Sequence, residues 1–527
     1  MSKAADMAKV SAKGGFHLLW GLVVSTVISS VGTIFIARLL TSDLYGLYTV
    51  VLTAPALLVT FRDWGVNSAM VRCTAQYRAE GRTDEIRSIL VSGIIFELVF
   101  GLVLSVVCFM LSGFLATTIF NRPTIAPLIQ IASFSILAGG LVNAAGAAFT
   151  GIERLELNSV MLICQSVIKT LVIIALVVLG LGTLGATIGY SVGYAIAGVI
   201  GVLLIWTIYR TLPKPATNKL EIKAYISAML QYGVPISLAA IIGGFLAQFY
   251  VFLLPIHYAT DNIMIGNYGV AANFVVLIGF FATPITTMLF PAFSKIDAQK
   301  DKETLKNVFQ FSIKYASLIV VPVASLIICL SEPAVSTLFG ATYSAAPLFL
   351  ALSAITYVYT AFGSLSTGNL INGQGDTKLN LYLTLLTAAI GFPMGYLLIM
   401  NFGVIGLIAT TLAVGLPSIF ISLSWAKKRY GVTVDWQSTA KILLSSAVTA
   451  ALTYVIVAQL GFASWIRLVI GVVVFVLILV PAVLLTRTIT RSDIDNIRGM
   501  VGGLGPVGKL VNTLLSVIEK IMTALKT

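Results

Sequence analysis

Charge is scarce in this chain. Only 10% of its 527 residues are Asp, Glu, Lys or Arg, and 58% are hydrophobic, whereas a soluble domain carries about 25% charged residues. Uncharged apolar stretches of about twenty residues recur along the chain, and this is the length that crosses a bilayer as a helix. The composition therefore excludes a soluble globular protein and predicts an all-α polytopic membrane protein.

Metal ligands, paired cysteines and nucleotide-binding motifs are also lacking. The chain has two histidines and four cysteines, with neither metal-ligand spacing nor a close cysteine pair. The segment "GLGPVGK" (503–509) has the glycine and lysine spacing of a phosphate-binding loop. Leu510 follows it, however, where a Ser or Thr must bind magnesium. We predict no metal, no cofactor and no ATP hydrolysis, and we interpret the chain as not being an enzyme.

The apolar stretches themselves define about fourteen candidate transmembrane helices. Polar, glycine or proline residues separate one stretch from the next. The predicted spans are 15–38, 44–68, 88–112, 126–150, 159–180, 183–208, 227–255, 266–290, 311–331, 345–371, 378–400, 402–425, 440–460 and 464–487.

Lys and Arg residues orient these spans. With a cytoplasmic N-terminus, 29 of the 33 basic residues fall on inward segments, three fall outside, and Lys169 lies within a span. This asymmetry follows the positive-inside rule. We predict a multi-pass protein of the cell (plasma) membrane with both termini in the cytoplasm. The net charge of +13 then faces anionic membrane lipids and not nucleic acid.

Two pairs of similar loops indicate an internal duplication. "AEGRTDEIR" (79–87) and "AQKDKETLK" (298–306) begin 219 residues apart, and "TGIERLE" (150–156) and "NGQGDTK" (372–378) begin 222 residues apart. Because six helices separate the members of each pair, both halves start on the same side of the membrane. The sequence thus predicts two parallel six-helix repeats, which form two lobes around a central cavity.

These repeats set the predicted domain boundaries. The N-lobe covers residues 1–220, the C-lobe covers 221–430, and two extra helices occupy 431–488. Residues 489–527 form a cytoplasmic tail. Apolar residues recur on one face after Pro506, which predicts an amphipathic helix lying on the inner leaflet or binding a partner.

Four short motifs resemble a known family of transporters. They are "ARLLTSDLYGLYTV" (37–50), "DWGVNSAMVR" (63–72), "LFPAFSKI" (289–296) and "INGQGDTK" (371–378). They resemble Wzx-like polysaccharide flippases of the multidrug/oligosaccharidyl-lipid/polysaccharide (MOP) exporter superfamily. The resemblance extends over about residues 15–425. Many relatives carry an acidic residue in span seven, where this chain has "LAQFYVFLLP" (246–255).

The resemblance implies a two-lobed transporter that works by alternating access. Its cargo would be a polyprenyl- or dolichyl-(pyro)phosphate-linked glycan, flipped from the cytoplasmic to the outer leaflet. The implied partners are this lipid-linked glycan, anionic membrane lipids and glycosyltransferases of the same pathway. The two extra C-terminal helices also occur in some members, including the lipid II flippases.

Four charged residues fall inside the predicted spans. Arg62 and Asp63 lie side by side near the inner end of span two, Glu97 lies within span three and Lys169 within span five. Charges at this depth are costly and usually handle substrate or ions. A guanidinium binds two phosphate oxygens at once. We therefore predict that all four bind substrate, with Arg62 and Lys169 forming a cationic phosphate site.

The pattern of these charges also allows other interpretations. Glu97 is near enough in depth to pair with either Arg62 or Lys169, so the four residues could form a structural ion-pair cluster. Arg62 and Asp63 could also extend to the inner interface. Arg38, at the outer end of span one, is either an exit-side phosphate contact or an interface anchor paired with Asp43.

Three alternatives to a glycan flippase make different demands on the sequence. A cation-coupled drug exporter of the same superfamily would favour net acidity in its cavity, whereas the four membrane charges sum to zero. A polysaccharide polymerase or glycosyltransferase would need a catalytic loop outside the spans, and the predicted outward loops are all short. A scaffold without transport activity would not need buried charge.

Overall fold

Helices form almost the whole of the protein that the structure describes. The computed structural model describes residues 3–212, 221–298, 300–491 and 493–495, with isolated positions between 498 and 519. No strand occurs in these ranges, so the predicted all-α class is confirmed. The amphipathic helix predicted after Pro506 and the "GLGPVGK" segment lie outside them.

Fifteen α-helices are assigned within the described ranges. In chain order they are α1 (Lys3–Val59), α2 (Val66–Ala79), α3 (Thr83–Phe114), α4 (Ala126–Gly151), α5 (Leu155–Leu176), α6 (Gly182–Thr211), α7 (Ile222–His257), α8 (Ile263–Ser294), α9 (Lys302–Cys329), α10 (Ser331–Leu338), α11 (Ala346–Val358), α12 (Ser364–Gly373), α13 (Thr377–Tyr430), α14 (Trp436–Ala458) and α15 (Ser464–Leu485).

The described part of the structure contains fewer helices that meet the length and composition of a membrane span than the fourteen that the sequence predicts. Ten described helices are long and apolar enough to cross, or eleven if the bent pair Ala346–Phe362 and Ser364–Gly373 forms one span. Three of the ten contain 40, 54 and 57 residues, about twice or more the length that one crossing needs. The count of fourteen therefore stays a prediction.

Each of these three long helices contains a break close to a predicted span boundary. The backbone leaves helical geometry at Thr41, at Gly180 and Gly182, and at Gly403. Gly403 has a φ of 56° and a ψ of −129°, a combination that only glycine adopts readily. Thr41 has a φ of 64°, which is unusual for a β-branched residue. The Tyr343 hydroxyl lies 2.7 Å from the Ala37 carbonyl and 3.1 Å from the Thr41 carbonyl, and it helps to fix this break.

The predicted second span is wrong at its inner end. The sequence predicts a helix to residue 68, but α1 ends at Val59 and α2 starts at Val66. Trp64 and Gly65 between them have φ values of 49° and 79°. A Cβ atom at Gly65 would collide with the Gly233 carbonyl of α7. The close approach of α7 thus requires the glycine, and the left-handed backbone at Trp64 and Gly65 interrupts the helix.

The chain divides into two compact units. Unit 1 comprises Met1–Phe274, Phe339–Phe349 and Asn380–Gly415, and unit 2 comprises Val275–Leu338, Leu350–Leu379 and Leu416–Thr527. The predicted domain boundaries at residues 220, 430 and 488 stay a prediction.

Each unit has an apolar core of its own. The core of unit 1 contains Met70, Phe149 and Met161 from α2, α4 and α5, all fully buried. A core of unit 2 contains Phe293 and Phe309, from α8 and α9. Such close-packed interiors hold the polar side chains described below in defined positions.

Candidate functional site

A buried ion pair lies beside the break between α1 and α2. Arg62 follows the end of α1, and its Nε atom is 3.1 Å from Oε2 of Glu97 on α3. Arg62 is 3% exposed and Glu97 is 0% exposed. Of the two partners that the sequence allowed for Glu97, the structure therefore selects Arg62. An ion pair this deeply buried is very costly to break from one side.

Neighbouring polar groups hold both partners in place. Arg62 Nη1 donates to the Ile136 carbonyl of α4 at 3.1 Å. Asn67 Nδ2 of α2 donates to Glu97 Oε1 at 2.6 Å, and the Asn67 backbone N–H donates to Asp63 Oδ1 at 2.9 Å. Asn67 thus links the carboxylates of Asp63 and Glu97, and three of the four predicted charges belong to one cluster.

Two adjacent glycines of α4 make room for the pair. A Cβ atom at Gly139 would lie 3.0 Å from Arg62 Nη1, and one at Gly140 would lie 2.9 Å from Glu97 Oε2. The ion pair therefore fills the volume that side chains would otherwise occupy on this face of α4. Sequence inspection found the charges but not this pair of glycines.

Arg62 also lines a cavity of about 300 Å³ within unit 1, here called the arginine cavity. Its polar lining includes Thr60, Asn143, Tyr190, Tyr194 and Gln248. The rings of Tyr190 and Tyr194 lie 5.0 Å apart. This cavity presents one fixed cation among hydroxyl, amide and aromatic groups.

A second cavity of unit 1 has a different lining. This amide cavity, of about 370 Å³, is lined by Asp63 and by the polar residues Asn67, Ser68, Asn143 and Asn158, with an apolar remainder. No Lys or Arg is among its lining residues. Asn143 lines both cavities. The adjacent residues Arg62 and Asp63 thus line two neighbouring cavities, one with a positive charge and the other with a negative charge.

Lys169 lies elsewhere in unit 1. Its Nζ atom is 3.5 Å from the Ser29 hydroxyl of α1, and its backbone packs against Gly193 of α6. Within the described ranges, no carboxylate lies within 4 Å of Nζ. Lys169 lines neither cavity. The structure therefore does not bring it together with Arg62, and its predicted substrate role stays a prediction.

Arg38 is likewise separate from the two cavities. It is exposed near the Thr41 break, and it lines neither of them. Asp43, its predicted partner, accepts a hydrogen bond from Asn262 Nδ2 at 3.2 Å. The sequence did not identify Arg122 as a structural residue. Arg122 is 6% exposed, and its guanidinium donates to Asn262 Oδ1 and to the Pro255 carbonyl, each at 3.0 Å.

Sequence reasoning also missed the neutral residues of the site. Asn143 and Asn158 lie on α4 and α5 and carry no charge, so a search for costly charges passes over them. An amide inside an apolar span is nevertheless a polar group that needs a partner. The signal was the position of Asn143 in the middle of an otherwise apolar segment.

The fold and the two cavities define a multi-pass, all-α membrane protein with polar sites among its helices. The sequence profile described as "Polysaccharide biosynthesis protein" matches residues 11–297, more than half of the chain. The chain belongs to this family. The profile described as "Lipid II flippase MurJ" matches residues 268–481. The resemblance to Wzx-like members of the MOP superfamily is thereby confirmed.

Individual relatives are distant. The chain is 24% identical to the lipopolysaccharide biosynthesis protein WzxC of Escherichia coli over 401 residues, which are 72% of this chain and 77% of WzxC. It is 20% identical to the probable low-salt glycan biosynthesis flippase Agl15 of Haloferax volcanii, over 50% of this chain and 52% of Agl15. Both matches agree with the family assignment.

Solved structures confirm the fold. An inward closed conformation of the lipid II flippase MurJ has a TM-score of 0.66 at 17% identity, with 88% of this chain and 97% of that chain covered. An inward-facing MATE multidrug transporter of the MOP superfamily has a TM-score of 0.59 at 15% identity, with 77% and 94% covered. At these identities the similarity shows the fold alone.

Proposed function

We propose that the protein flips a lipid-linked oligosaccharide or polysaccharide precursor from the cytoplasmic to the outer leaflet by alternating access. The observation that carries this proposal is a fixed guanidinium on a cavity inside a membrane protein of the polysaccharide biosynthesis family. The names of WzxC, Agl15 and MurJ point to the same kind of cargo. The protein is a transporter and not an enzyme.

Arg62 is the residue that we assign to the phosphate of the lipid carrier. Its guanidinium has five N–H donors. The Nε atom faces Glu97, and Nη1 donates to the Ile136 carbonyl. The remaining donors can bind phosphate oxygens in a charge-assisted manner. Glu97 offsets part of the positive charge, so binding is weak enough to permit release on the other side of the membrane.

The predicted orientation belongs to the same proposal. The protein lies in the plasma membrane with both termini in the cytoplasm, and the site becomes accessible from each side of the membrane in turn. Aromatic residues favour the membrane interface, and the Arg210 guanidinium lies 3.6 Å from the centre of the Trp206 ring near the end of α6. This pair supports contact with anionic lipids at the inner leaflet. Glycosyltransferases of the same pathway supply the cargo.

Reconstitution tests the proposal directly. Proteoliposomes containing the full chain receive a fluorescent polyprenyl-diphosphate-linked oligosaccharide, and a membrane-impermeant glycosidase reports the fraction exposed on each side. We expect transfer with the wild type, partial transfer with Arg62→Lys and none with Arg62→Ala. Transfer by Arg62→Ala at the wild-type rate would refute the phosphate assignment. Export of cationic dyes without any glycan transfer would favour a drug exporter.

A further inference from the structure

The amide cavity contains polar groups that the protein itself does not use. The side chains of Asn143, Asn158 and Ser68 line it, and none of the hydrogen bonds within the described ranges involves them. Asn143 and Ser68 are exposed and Asn158 is half-buried, so their donors and acceptors are accessible from the cavity. These three side chains can therefore bind a ligand with hydrogen-bonding groups of its own.

The chemistry of the lining selects the kind of ligand. An amide offers both an acceptor and donors, a hydroxyl offers both, and the Asp63 carboxylate accepts only. Asp63 Oδ1 already accepts from the Asn67 backbone, while no cation lines the cavity. A negative group such as phosphate is disfavoured beside Asp63, whereas a set of neighbouring hydroxyl groups matches these donors and acceptors.

The size and position of the cavity agree with this choice. Its volume of about 370 Å³ lies in the range of small-molecule sites, about 300–1,000 Å³, and is far larger than a dehydrated ion needs. Val71, Met161 and Leu162 supply an apolar wall for the C–H face of a sugar ring. Asn143 also lines the arginine cavity, so a ligand in the amide cavity would adjoin the phosphate proposed there.

We propose that the amide cavity binds the sugar next to the lipid phosphate, with Asn143, Asn158, Ser68 and Asp63 accepting and donating hydrogen bonds to its hydroxyl or amide groups. This inference rests on the proposed flippase function. It makes these residues determinants of which glycan is transported. Sites that bind a hydroxyl group discriminate strongly against ligands that lack it, because the polar groups are then left unpaired.

Binding by the purified full chain in lipid nanodiscs tests the proposal. The probes are a polyprenyl diphosphate without sugar and the same lipid carrying one N-acetylglucosamine. We expect the wild type to bind the glycosylated lipid about ten-fold more tightly, a gain typical of one or two hydrogen bonds. Asn158→Leu should lose this gain and keep its affinity for the lipid without sugar.

Two further variants guard against misfolding. Gly146→Ala should also reduce the gain, because its Cβ atom would lie 3.1 Å from Asn158 Oδ1 and narrow the cavity. Asn401→Leu is the matched control: Asn401 is an exposed amide on α13 that donates to the Leu397 carbonyl. It should retain the full gain.

The outcomes separate this inference from the proposed function. Binding of neither probe by the wild type would overturn both. Equal binding of the two probes by the wild type, or an undiminished gain in folded Asn158→Leu and Gly146→Ala, would overturn the sugar site alone. The sugar site would also be overturned if the wild type bound sodium and the sugar had no effect on the affinity for the lipid.

Discussion

Unit 1 contains a buried ion pair and unit 2 a partly buried one, and the two pairs differ in how many hydrogen bonds their charged groups make. In unit 2, Lys314 Nζ of α9 lies 2.7 Å from Asp493 Oδ2, beyond the end of α15. Asp493 also accepts hydrogen bonds from the Tyr315 hydroxyl and from the backbone and hydroxyl of Thr490. This pair fixes a chain segment at the end of the helices.

The charged groups of the ion pair in unit 1 make fewer hydrogen bonds. Arg62 Nε and Glu97 Oε2 are 3.1 Å apart, but neither atom has an aligned hydrogen bond among the described residues. Arg62 of this pair also lines the arginine cavity and follows the end of α1. A saturated pair stabilises one arrangement, whereas a pair with remaining donors can also bind a ligand. The comparison thus predicts a structural role for the unit 2 pair and a ligand-binding role for Arg62.

Removing one partner of the unit 1 pair should have the largest effect. Arg62→Ala leaves Glu97 buried and unpaired, which should lower the free energy of unfolding by about 3–5 kcal/mol and abolish glycan transfer. Arg154→Ala is the control, because the Arg154–Glu156 pair is exposed and such pairs contribute about 0–1 kcal/mol. Thermal unfolding and proteoliposome transfer measure both effects. Equal melting temperatures for the two variants would contradict this account.

Crowding the same pair without changing its charges should have a smaller effect. In Gly140→Ala the new Cβ atom would lie 2.9 Å from Glu97 Oε2, so the carboxylate must move away from Arg62. We expect a loss of about 1–3 kcal/mol and reduced transfer. Gly243→Ala in α7 is the control, because its Cβ would meet only Thr384 at 3.9 Å. A lower melting temperature for the control than for Gly140→Ala would refute the steric explanation.

Breaking the unit 2 pair should affect stability and spare transport. Asp493→Asn removes the charge that Lys314 and Thr490 bind, at a cost of about 1.5–3 kcal/mol. Transfer per folded molecule should remain at the wild-type rate, because Asp493 lines neither cavity. Transfer measurements normalised to folded protein check this expectation. Loss of transfer in fully folded Asp493→Asn would remove the distinction between the two pairs.

The unit 2 pair also predicts a pH dependence of stability. Burial would raise the pKa of Asp493, but hydrogen bonds from Lys314 and Thr490 outweigh it and hold the pKa below its usual range. A lowered folded-state pKa stabilises the protein above the ordinary pKa, and this contribution is lost as the pH falls through the lowered value. The melting temperature of the wild type should therefore approach that of Asp493→Asn in acid. A constant difference down to strongly acidic pH would contradict this.

The smallest effect is expected for Lys169. Its one hydrogen bond among the described residues is 3.5 Å long, and Lys169 lines neither cavity. Lys169→Met should change the affinity for polyprenyl diphosphate by less than about three-fold, because it leaves the contacts of Arg62 intact and the two residues share no partner. A loss as large as that of Arg62→Ala would place Lys169 in the phosphate site after all.

The sequence predicted the class of fold and the charges of the site, but not the geometry between them. Apolar length predicted the membrane helices, and the cost of buried charge identified Arg62, Asp63 and Glu97. The break at Trp64 and Gly65 depends on the approach of α7, a tertiary contact that local patterns do not contain. The sequence did not identify Asn158, because its place on a cavity depends on the packing of three helices.

One binding measurement tests the central claim, that Arg62 binds the phosphate of a lipid-linked glycan. The double variant Arg62→Met with Glu97→Leu removes both charges, and such apolar replacements are often neutral or stabilising. It should melt near the wild-type temperature and bind the N-acetylglucosaminyl polyprenyl diphosphate at least about ten-fold more weakly, since a charge-assisted hydrogen bond is lost. Wild-type affinity in the folded double variant would contradict the claim.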